Sequence, residues 1–254
     1  PPRSTLFPYT TLFRSNNLSV DCVIFGFDNQ TLNVLLTKRE LKDPSSGELL
    51  ISDYTLQGHH VLVGENVDDA AKRVLLDKTG LSNIYLEQFH TFGNTNRLQK
   101  PNDQLWKKLM YPMVSEHVVS VCYFSLVDSS KVKPDHQHEY TSWIPVSDLP
   151  ELGYDHEEMI KMALEHLRNK IFREPIGFEL LPDKFTLSEL QALYEAILNT
   201  SIDRRNFWKK VSQMKYVIPL DEKRKTNARR SSQVFIFSRD VYDRTKKEKL
   251  SLSY

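Results

Sequence analysis

Short apolar runs separated by polar turns dominate the first half of the chain. The runs VDCVIFGFD (Val20 to Asp28) and NVLLTKR (Asn33 to Arg39) flank a few polar residues, and this pattern predicts a β-hairpin. The runs IYLEQFHTFG and VVSVCYFSLV predict two further strands. Between the two pairs, a loop rich in Pro, Ser and Gly (Asp43 to Glu48) precedes the stretch Leu56 to Leu81, which predicts a loop, a helix and a terminating glycine.

From residue 156 onward the apolar positions recur every three or four residues, which is the period of a helix. The segment HEEMIKMALEHLRNKI places five apolar side chains on one face: Ile160, Ala163, Leu164, Leu167 and Ile171. The segment REPIGFELLP then interrupts the pattern with two prolines. We expect this helix to connect the first part of the chain to a second domain.

The last third of the chain predicts two helices followed by a hairpin. FTLSELQALYEAIL begins with a capping box formed by Thr186 and Glu189. Its apolar stripe consists of Leu187, Leu190, Leu193, Tyr194 and Ile197. The second helix, DRRNFWKKVSQM, has Phe207, Val211 and Met214 on one side, and the strands YVIPL and QVFIF flank the basic segment DEKRKTNARRSS. This order is typical of a winged helix-turn-helix domain.

Charge divides the chain in the same way. Residues 16–177 hold 16 Lys and Arg against 23 Asp and Glu, a net charge of −7, whereas residues 178–254 hold 16 against 10, a net charge of +6. A basic C-terminal part predicts an anionic partner.

No run of about 18 apolar residues is present, so no membrane span is expected. Cys22 and Cys122 lie in apolar runs and indicate either a disulfide or, in a reducing cytosol, two buried thiols.

The first fifteen residues differ in character from the rest. TLFPYTTLFRS (Thr5 to Ser15) resembles a translated sequencing adapter, and it lacks the charged start, apolar stretch and cleavage site of a signal peptide. We therefore expect residues 1–15 to be disordered and of artefactual origin, and we leave them out of the fold prediction.

The stretch from Leu56 to Leu81 resembles the Nudix box, in which Gly, Glu, an Arg-Glu pair, a Glu-Glu pair and a closing Gly follow one another at fixed spacings. The matching positions are Glu65, Arg73, Leu75, Gly80 and Leu81. The resemblance extends from about Val20 to Leu152. It implies a Nudix-like α/β/α sandwich, in which Glu65 and Arg73 pin the loop to the helix.

The residues that differ from the box include those that its chemistry requires. His59 replaces the opening Gly, Val74 replaces the Glu after the Arg, and Asp77-Lys78 replaces the Glu-Glu pair. Magnesium needs several carboxylate oxygens on one face, and positions 74, 77 and 78 share a helical face but retain a single acid. We therefore expect a degenerate box that serves as a scaffold, with no enzyme activity, metal or cofactor. The alternative is an active Nudix pyrophosphohydrolase with an accessory basic domain.

The segments EPIGFELLPDKFTLSELQALYEAIL and DRRNFWKK are similar to the linker and DNA-binding domain of the Nudix-related transcription regulators, the NrtR-like group with its sugar-responsive, arabinose-type branch. The resemblance covers nearly all of residues 16–240. It implies an α+β protein of the bacterial cytoplasm that forms a homodimer, binds a palindromic double-stranded DNA operator and responds to a small-molecule effector. The candidate DNA-binding residues are Arg204, Arg205, Asn206, Lys209, Lys210, Lys225, Arg229 and Arg230.

The expected divisions follow from these patterns. They are a Nudix-like effector-binding domain at 16–152, a linker helix at 153–177, a winged helix-turn-helix domain at 178–240 and a basic tail at 241–254. The candidate effector-binding residues are Arg39, His59, His60 and Arg97. The effector is expected to be a sugar such as a pentose, or an ADP-ribose-like nucleotide.

Three questions stay open from the sequence. Residues 98–117 form a longer connection than the resemblance implies, and they fit either a lid over the pocket or a dimer contact. DHQHE (Asp135 to Glu139) holds a His-x-His pair, which lacks the third ligand that a metal site needs. The third question is whether the protein is instead a nucleic-acid-binding adaptor without any effector.

Overall fold

The computed structural model of the protein describes residues 14–112, 115, 117–132, 140–227 and 230–251. Among these described residues, the first part contains seven strands and three α-helices in chain order. They are β1 (Arg14–Phe27), β2 (Leu32–Lys42), β3 (Leu49–Thr55), β4 (Gln57–Leu62), α1 (Val67–Thr79), β5 (Tyr85–Phe92), α2 (Pro101–Met110), β6 (Val119–Asp128), β7 (Thr141–Pro145) and α3 (His156–Lys170).

The seven strands form one mixed sheet in the order β3-β2-β1-β6-β5, with β4 paired to β1 and β7 paired to β2. β1 and β6 run parallel, and the other pairs run antiparallel. The predicted hairpin of β1 and β2 is confirmed, with Phe27 opposite Leu32. Its turn is held by the Asp28 carboxylate, which accepts hydrogen bonds from the backbone N–H of Gln30 and Thr31 at 3.0 and 2.8 Å.

Helices cover both faces of this sheet, because alternate residues of the buried strands point to opposite sides. One face packs Val20, Cys22 and Ile24 of β1 against the buried side of α1. The other packs Val23, Phe25 and Phe27 against the buried residues of α3, which are Met159, Ile160, Ala163 and Leu167. The predicted α/β/α sandwich is therefore confirmed. The expected linker helix α3 also forms one of its layers.

The two cysteines lie on opposite faces of the sheet. Cys22 packs with α1, whereas Cys122 packs on the α3 side with its sulfur 3.5 Å from Met159 Sδ. Both are buried free thiols, and burial raises the pKa of each. The disulfide that the sequence left open is thus not formed, because the sheet lies between the two side chains.

The C-terminal part has the winged architecture that the sequence predicts. It contains β8 (Phe185–Thr186), α4 (Leu187–Leu198), α5 (Arg204–Val211), β9 (Val217–Asn227), β10 (Arg230–Phe237) and α6 (Arg239–Ser251), with a three-stranded sheet in the order β8-β10-β9. The capping box of Thr186 and Glu189 is present at the start of α4. Leu190, Leu193 and Ile197 are buried as predicted, and they continue the apolar core on the α3 side of the sandwich.

Several boundaries differ from the sequence expectation. The start of the Nudix-like stretch, expected as a loop, forms β4, because its backbone pairs with β1. α5 ends at Val211, so Met214 lies beyond the helix. β9 extends to Asn227, which takes most of the basic segment into a long hairpin, and the basic tail contains α6.

The N-terminal boundary also differs. β1 begins at Arg14, so the last two residues of the segment set aside as adapter-derived belong to a strand. The His-x-His segment at 135–139 lies outside the described residues. Over the described part of the chain, none of the helices has the length and apolar character needed to cross a membrane.

Candidate effector cavity and DNA-binding surface

The surviving acid and base of the Nudix-like box hold its loop against α1. Arg73 donates from Nε to Glu65 Oε1 and from Nη2 to Oε2, both at 2.8 Å. The same Nη2 donates to the carbonyl of His60 at 3.2 Å, and Glu65 Oε2 accepts from Leu62 N–H at 3.0 Å. The hydrogen bond from Arg73 lowers the pKa of Glu65. This pair therefore has the structural role that the resemblance implies.

The altered positions of the box differ in burial. Val74 is buried in the core beneath α1, Asp77 is exposed, and Lys78 is half-buried. Burial lowers the pKa of Lys78. Within the described residues no cluster of three or more His, Cys, Asp or Glu side chains is arranged to hold a metal ion. Position 74 thus contributes to packing, since its side chain is apolar and its neighbours are core residues.

A cavity of about 300 Å³ opens beside the β4 end of the box. Its walls come from β1, β2, β3, β4 and α2, and from the residues that begin α3. All four predicted effector residues, Arg39, His59, His60 and Arg97, line this cavity. The fold therefore brings together side chains that are separated by up to 58 positions in the chain.

Arg39 is a charged group of the cavity that is held by several contacts. It donates from Nε and Nη2 to the two oxygens of Asp53 at 2.7 and 2.6 Å, and from Nη2 to Asp103 Oδ1 at 2.7 Å. Its guanidinium carbon lies 4.8 Å from the ring centre of Tyr154 and 5.2 Å from that of Trp106. Among the described residues none accepts a hydrogen bond from its buried Nη1. This nitrogen therefore has no acceptor within the described part of the chain, although it lies in a buried, aromatic environment.

Helix α2, which lies within the connection at 98–117, closes one side of the cavity. Asp103 is buried and ties α2 to two other elements, because its second oxygen accepts from Tyr154 N–H at 2.8 Å. Lys100 Nζ donates to the carbonyl of Leu152 at 2.8 Å. Trp106 and Tyr111 face the cavity. Helix α2 and the residues that flank it therefore form a wall of the cavity.

The start of α3 forms the floor of the cavity. Arg97 donates to Asp155, the N-cap residue of α3, from Nη2 to Oδ1 at 2.8 Å and from Nε to Oδ2 at 3.0 Å. His156 follows and accepts at Nδ1 from Leu56 N–H at 2.9 Å, while its Nε2 lies 3.7 Å from Asp21 Oδ1. Burial lowers the pKa of His156, so its ring is neutral.

The residues of this site that were not predicted from the sequence include Asp21, Asp103, Trp106, Tyr154 and His156. Asp21 had a visible signal, because it is an acid within an apolar strand. Gly58 gave a weaker sequence signal for this site. A Cβ on Gly58 would lie 2.0 Å from Asp21 Oδ1, so only glycine allows β4 to pass this carboxylate.

The predicted DNA-binding surface centres on α5. Phe207 and Val211 are buried on its inner side, and Arg205, Asn206 and Lys209 are exposed on the opposite side. Asp203 caps the helix by accepting from Asn206 N–H at 2.9 Å. The exposed side of α5 thus offers donors that suit the edges and phosphates of a DNA groove.

The remaining candidate DNA-binding residues occupy different positions. Lys210 is exposed, and Lys225 is exposed on β9 of the wing. The guanidinium carbon of Arg204 lies 4.1 Å from the ring centre of Trp208, so this arginine packs on its own domain. Arg229 and the side chain of Arg230 lie outside the described residues.

Comparison with protein families identifies both parts of the chain. Residues 15–163 match the model of the NUDIX domain, which is more than half of the chain. The chain belongs to the Nudix family. Residues 177–237 match the NrtR DNA-binding winged helix domain. The protein is therefore an NrtR-like combination of a Nudix domain and a C-terminal winged helix domain.

Individual relatives are similar to most of this chain. The chain is 28 % identical over 237 residues to the ADPR responsive transcriptional repressor NtrR of Acinetobacter baylyi, covering 89 % of this chain and 84 % of the relative. It is similar to the crystal structure of Shewanella oneidensis NrtR in complex with a 27mer DNA, with a TM-score of 0.70, 27 % identity and coverage of 89 % and 95 %. A MutT/nudix family protein from Enterococcus faecalis shares the fold, with a TM-score of 0.58, 21 % identity and coverage of 87 % and 88 %.

Proposed function

We propose that the protein is a transcription regulator whose Nudix domain binds a small-molecule effector and whose winged domain binds double-stranded DNA. The observation that carries the proposal is the position of the cavity. Its lining residue His156 begins α3, and α3 reaches the winged domain, where Arg168 Nε donates to the carbonyl of Ile197 at 2.8 Å. A ligand in the cavity would thus contact the helix that touches α4.

The hydrogen bonds already made by the two arginines of the cavity favour a neutral ligand. Arginine recognises phosphate best through two free nitrogens of its planar fork, but Asp53 and Asp103 occupy two nitrogens of Arg39, and Asp155 occupies two of Arg97. A neutral hydroxyl needs a single donor, and Arg39 Nη1 offers one beside the ring of Trp106. The volume lies at the lower end of the roughly 300–1,000 Å³ typical of ligand pockets. We therefore favour a sugar such as a pentose over an ADP-ribose-like nucleotide.

A binding experiment tests this function. The duplex recovered by selection from a random library is titrated by fluorescence anisotropy, without ligand and with arabinose, xylose, ribose or ADP-ribose. We expect one pentose to change the DNA affinity and to raise the melting temperature of the protein, because a ligand stabilises the state that binds it. A response to ADP-ribose alone would assign the nucleotide instead. DNA binding that responds to none of the four ligands would favour the adaptor without an effector.

We expect no hydrolysis of ADP-ribose or nucleoside diphosphate compounds above background with magnesium or manganese. Val74 and Lys78 supply no carboxylates, and Asp77 alone offers too few oxygens to bind a hard divalent cation against a diphosphate. Phosphate or nucleotide release is measured for the wild-type protein and for Asp77→Ala. Robust turnover that disappears in Asp77→Ala would instead support the pyrophosphohydrolase.

We also propose that the protein is a homodimer that binds a palindromic operator. A single winged domain contacts few bases, whereas two domains on paired half-sites read enough sequence for useful specificity. Sedimentation velocity at micromolar concentration is expected to show a dimer. A monomer that nevertheless binds its operator tightly would contradict this assembly.

A further inference from the structure

The wing carries three consecutive basic residues, Lys223, Arg224 and Lys225, and they differ in their surroundings. Successive side chains of a strand point to opposite faces, so the two lysines share one face of β9 and Arg224 occupies the other. Both lysines are exposed. Arg224 instead donates from Nη1 to Glu189 Oε1 at 2.9 Å and from Nη2 to the carbonyl of Lys184 at 2.7 Å.

The partner of Arg224 already has a structural role at the start of α4. Glu189 Oε2 accepts from the backbone N–H of Thr186 at 2.6 Å, and Thr186 Oγ1 accepts from Glu189 N–H at 3.2 Å. One carboxylate therefore binds both the first turn of α4 and the wing. The Glu189 side chain is 19 % exposed and that of Arg224 is 40 % exposed, so the pair is partly shielded from water.

We propose that Arg224 is a positioning residue, which holds the wing against α4 through Glu189 and leaves DNA contact to Lys223 and Lys225. The proposal rests on the proposed DNA-binding function and deepens it. Both sides of the Arg224 fork are engaged within the domain, whereas each exposed lysine has an ammonium free to approach a phosphate. The ion pair sets the direction in which this basic face of the wing points.

Glu189→Gln distinguishes this role from a direct phosphate contact, because the two roles predict opposite signs. Glutamine also completes a capping box, so the helix start is preserved while the charge that holds Arg224 is removed. If Arg224 contacted phosphate, removal of a nearby carboxylate would strengthen DNA binding. If Arg224 positions the wing, we expect binding to weaken by about 8-fold at 0.1 M salt for each lysine that no longer reaches a phosphate, since each neutralised phosphate contributes about 0.9 to the slope of log K against log salt.

The matched control is Glu222→Gln, which removes the same charge from the same wing. Glu222 pairs with Lys184, and both side chains are more than half exposed, so this pair contributes little to wing position. We expect Glu222→Gln to bind DNA at least as tightly as the wild type.

We expect Arg224→Lys, which keeps the positive charge but removes the planar fork of the guanidinium, to bind DNA as weakly as Glu189→Gln. The double variant should be no weaker than either single variant, because both changes break the same ion pair.

Amide hydrogen exchange gives a second measurement that needs no DNA. Faster exchange of the β9 amides in Glu189→Gln than in Glu222→Gln, at equal melting temperature, is the expected result. Exchange equal in the two variants would overturn the proposal, and so would DNA binding by Glu189→Gln that matches or exceeds that of the wild type. A wild-type protein that binds no duplex would refute the proposed function itself, while the exchange measurement would still decide the role of Arg224.

Discussion

Replacing Arg39 by methionine is expected to lower the free energy of unfolding by about 3–5 kcal/mol, the cost of removing one partner from a buried ion pair. The guanidinium joins Asp53 of β3 and Asp103 of α2, whose side chains are only 2 % and 0 % exposed. Without it, two carboxylates would remain close together in a region that excludes water. Urea denaturation of both proteins measures the difference.

Two further variants separate the buried network from a general effect of charge. Lys38→Met changes the neighbouring residue of β2, which pairs with the half-exposed Glu40, and we expect little change in stability. Adding Asp103→Asn to Arg39→Met should recover part of the stability, because one uncompensated carboxylate is removed. A decrease of less than about 1 kcal/mol in Arg39→Met would contradict the importance of this network.

Arg205→Ala and Asn206→Ala are each expected to weaken binding to the specific operator by about 1–3 kcal/mol and to blur its sequence preference. Both side chains are exposed on the side of α5 that lies away from Phe207 and Val211. Arginine can donate two hydrogen bonds to guanine, and asparagine can pair in the same way with adenine. Anisotropy titrations on specific and scrambled duplexes at several salt concentrations measure both effects.

A lysine on the same side of α5 provides the comparison. Lys209→Ala is expected to weaken binding to both duplexes equally and to lower the salt slope, because lysine more often contacts phosphate. Lys215, exposed beyond the end of α5, serves as a control for the removal of one positive charge. If Arg205→Ala and Lys209→Ala bind the operator as the wild type does, at equal stability, α5 does not read the DNA.

Much of this protein follows from local sequence. The hairpin of β1 and β2, the buried face of α3 and the capping box of Thr186 and Glu189 were all predicted, because alternation, helical period and capping depend on residues close in the chain. The contact between Glu65 and Arg73 was expected from the resemblance to the Nudix box. The four predicted effector residues also line one cavity, although their role as ligand contacts stays a proposal.

The rest was decided by tertiary structure. Arg39 and Asp103 are 64 positions apart, so no local pattern shows that they meet, and this pair helps to anchor α2 beside the cavity. Strand β4 was expected as a loop, since pairing with β1 cannot be read from its own residues. The position of the two cysteines on opposite faces of the sheet could not be predicted from local sequence either, and nor could the contact of Arg224 with Glu189. Local sequence determined which elements form, whereas packing between distant elements determined which polar groups are buried together.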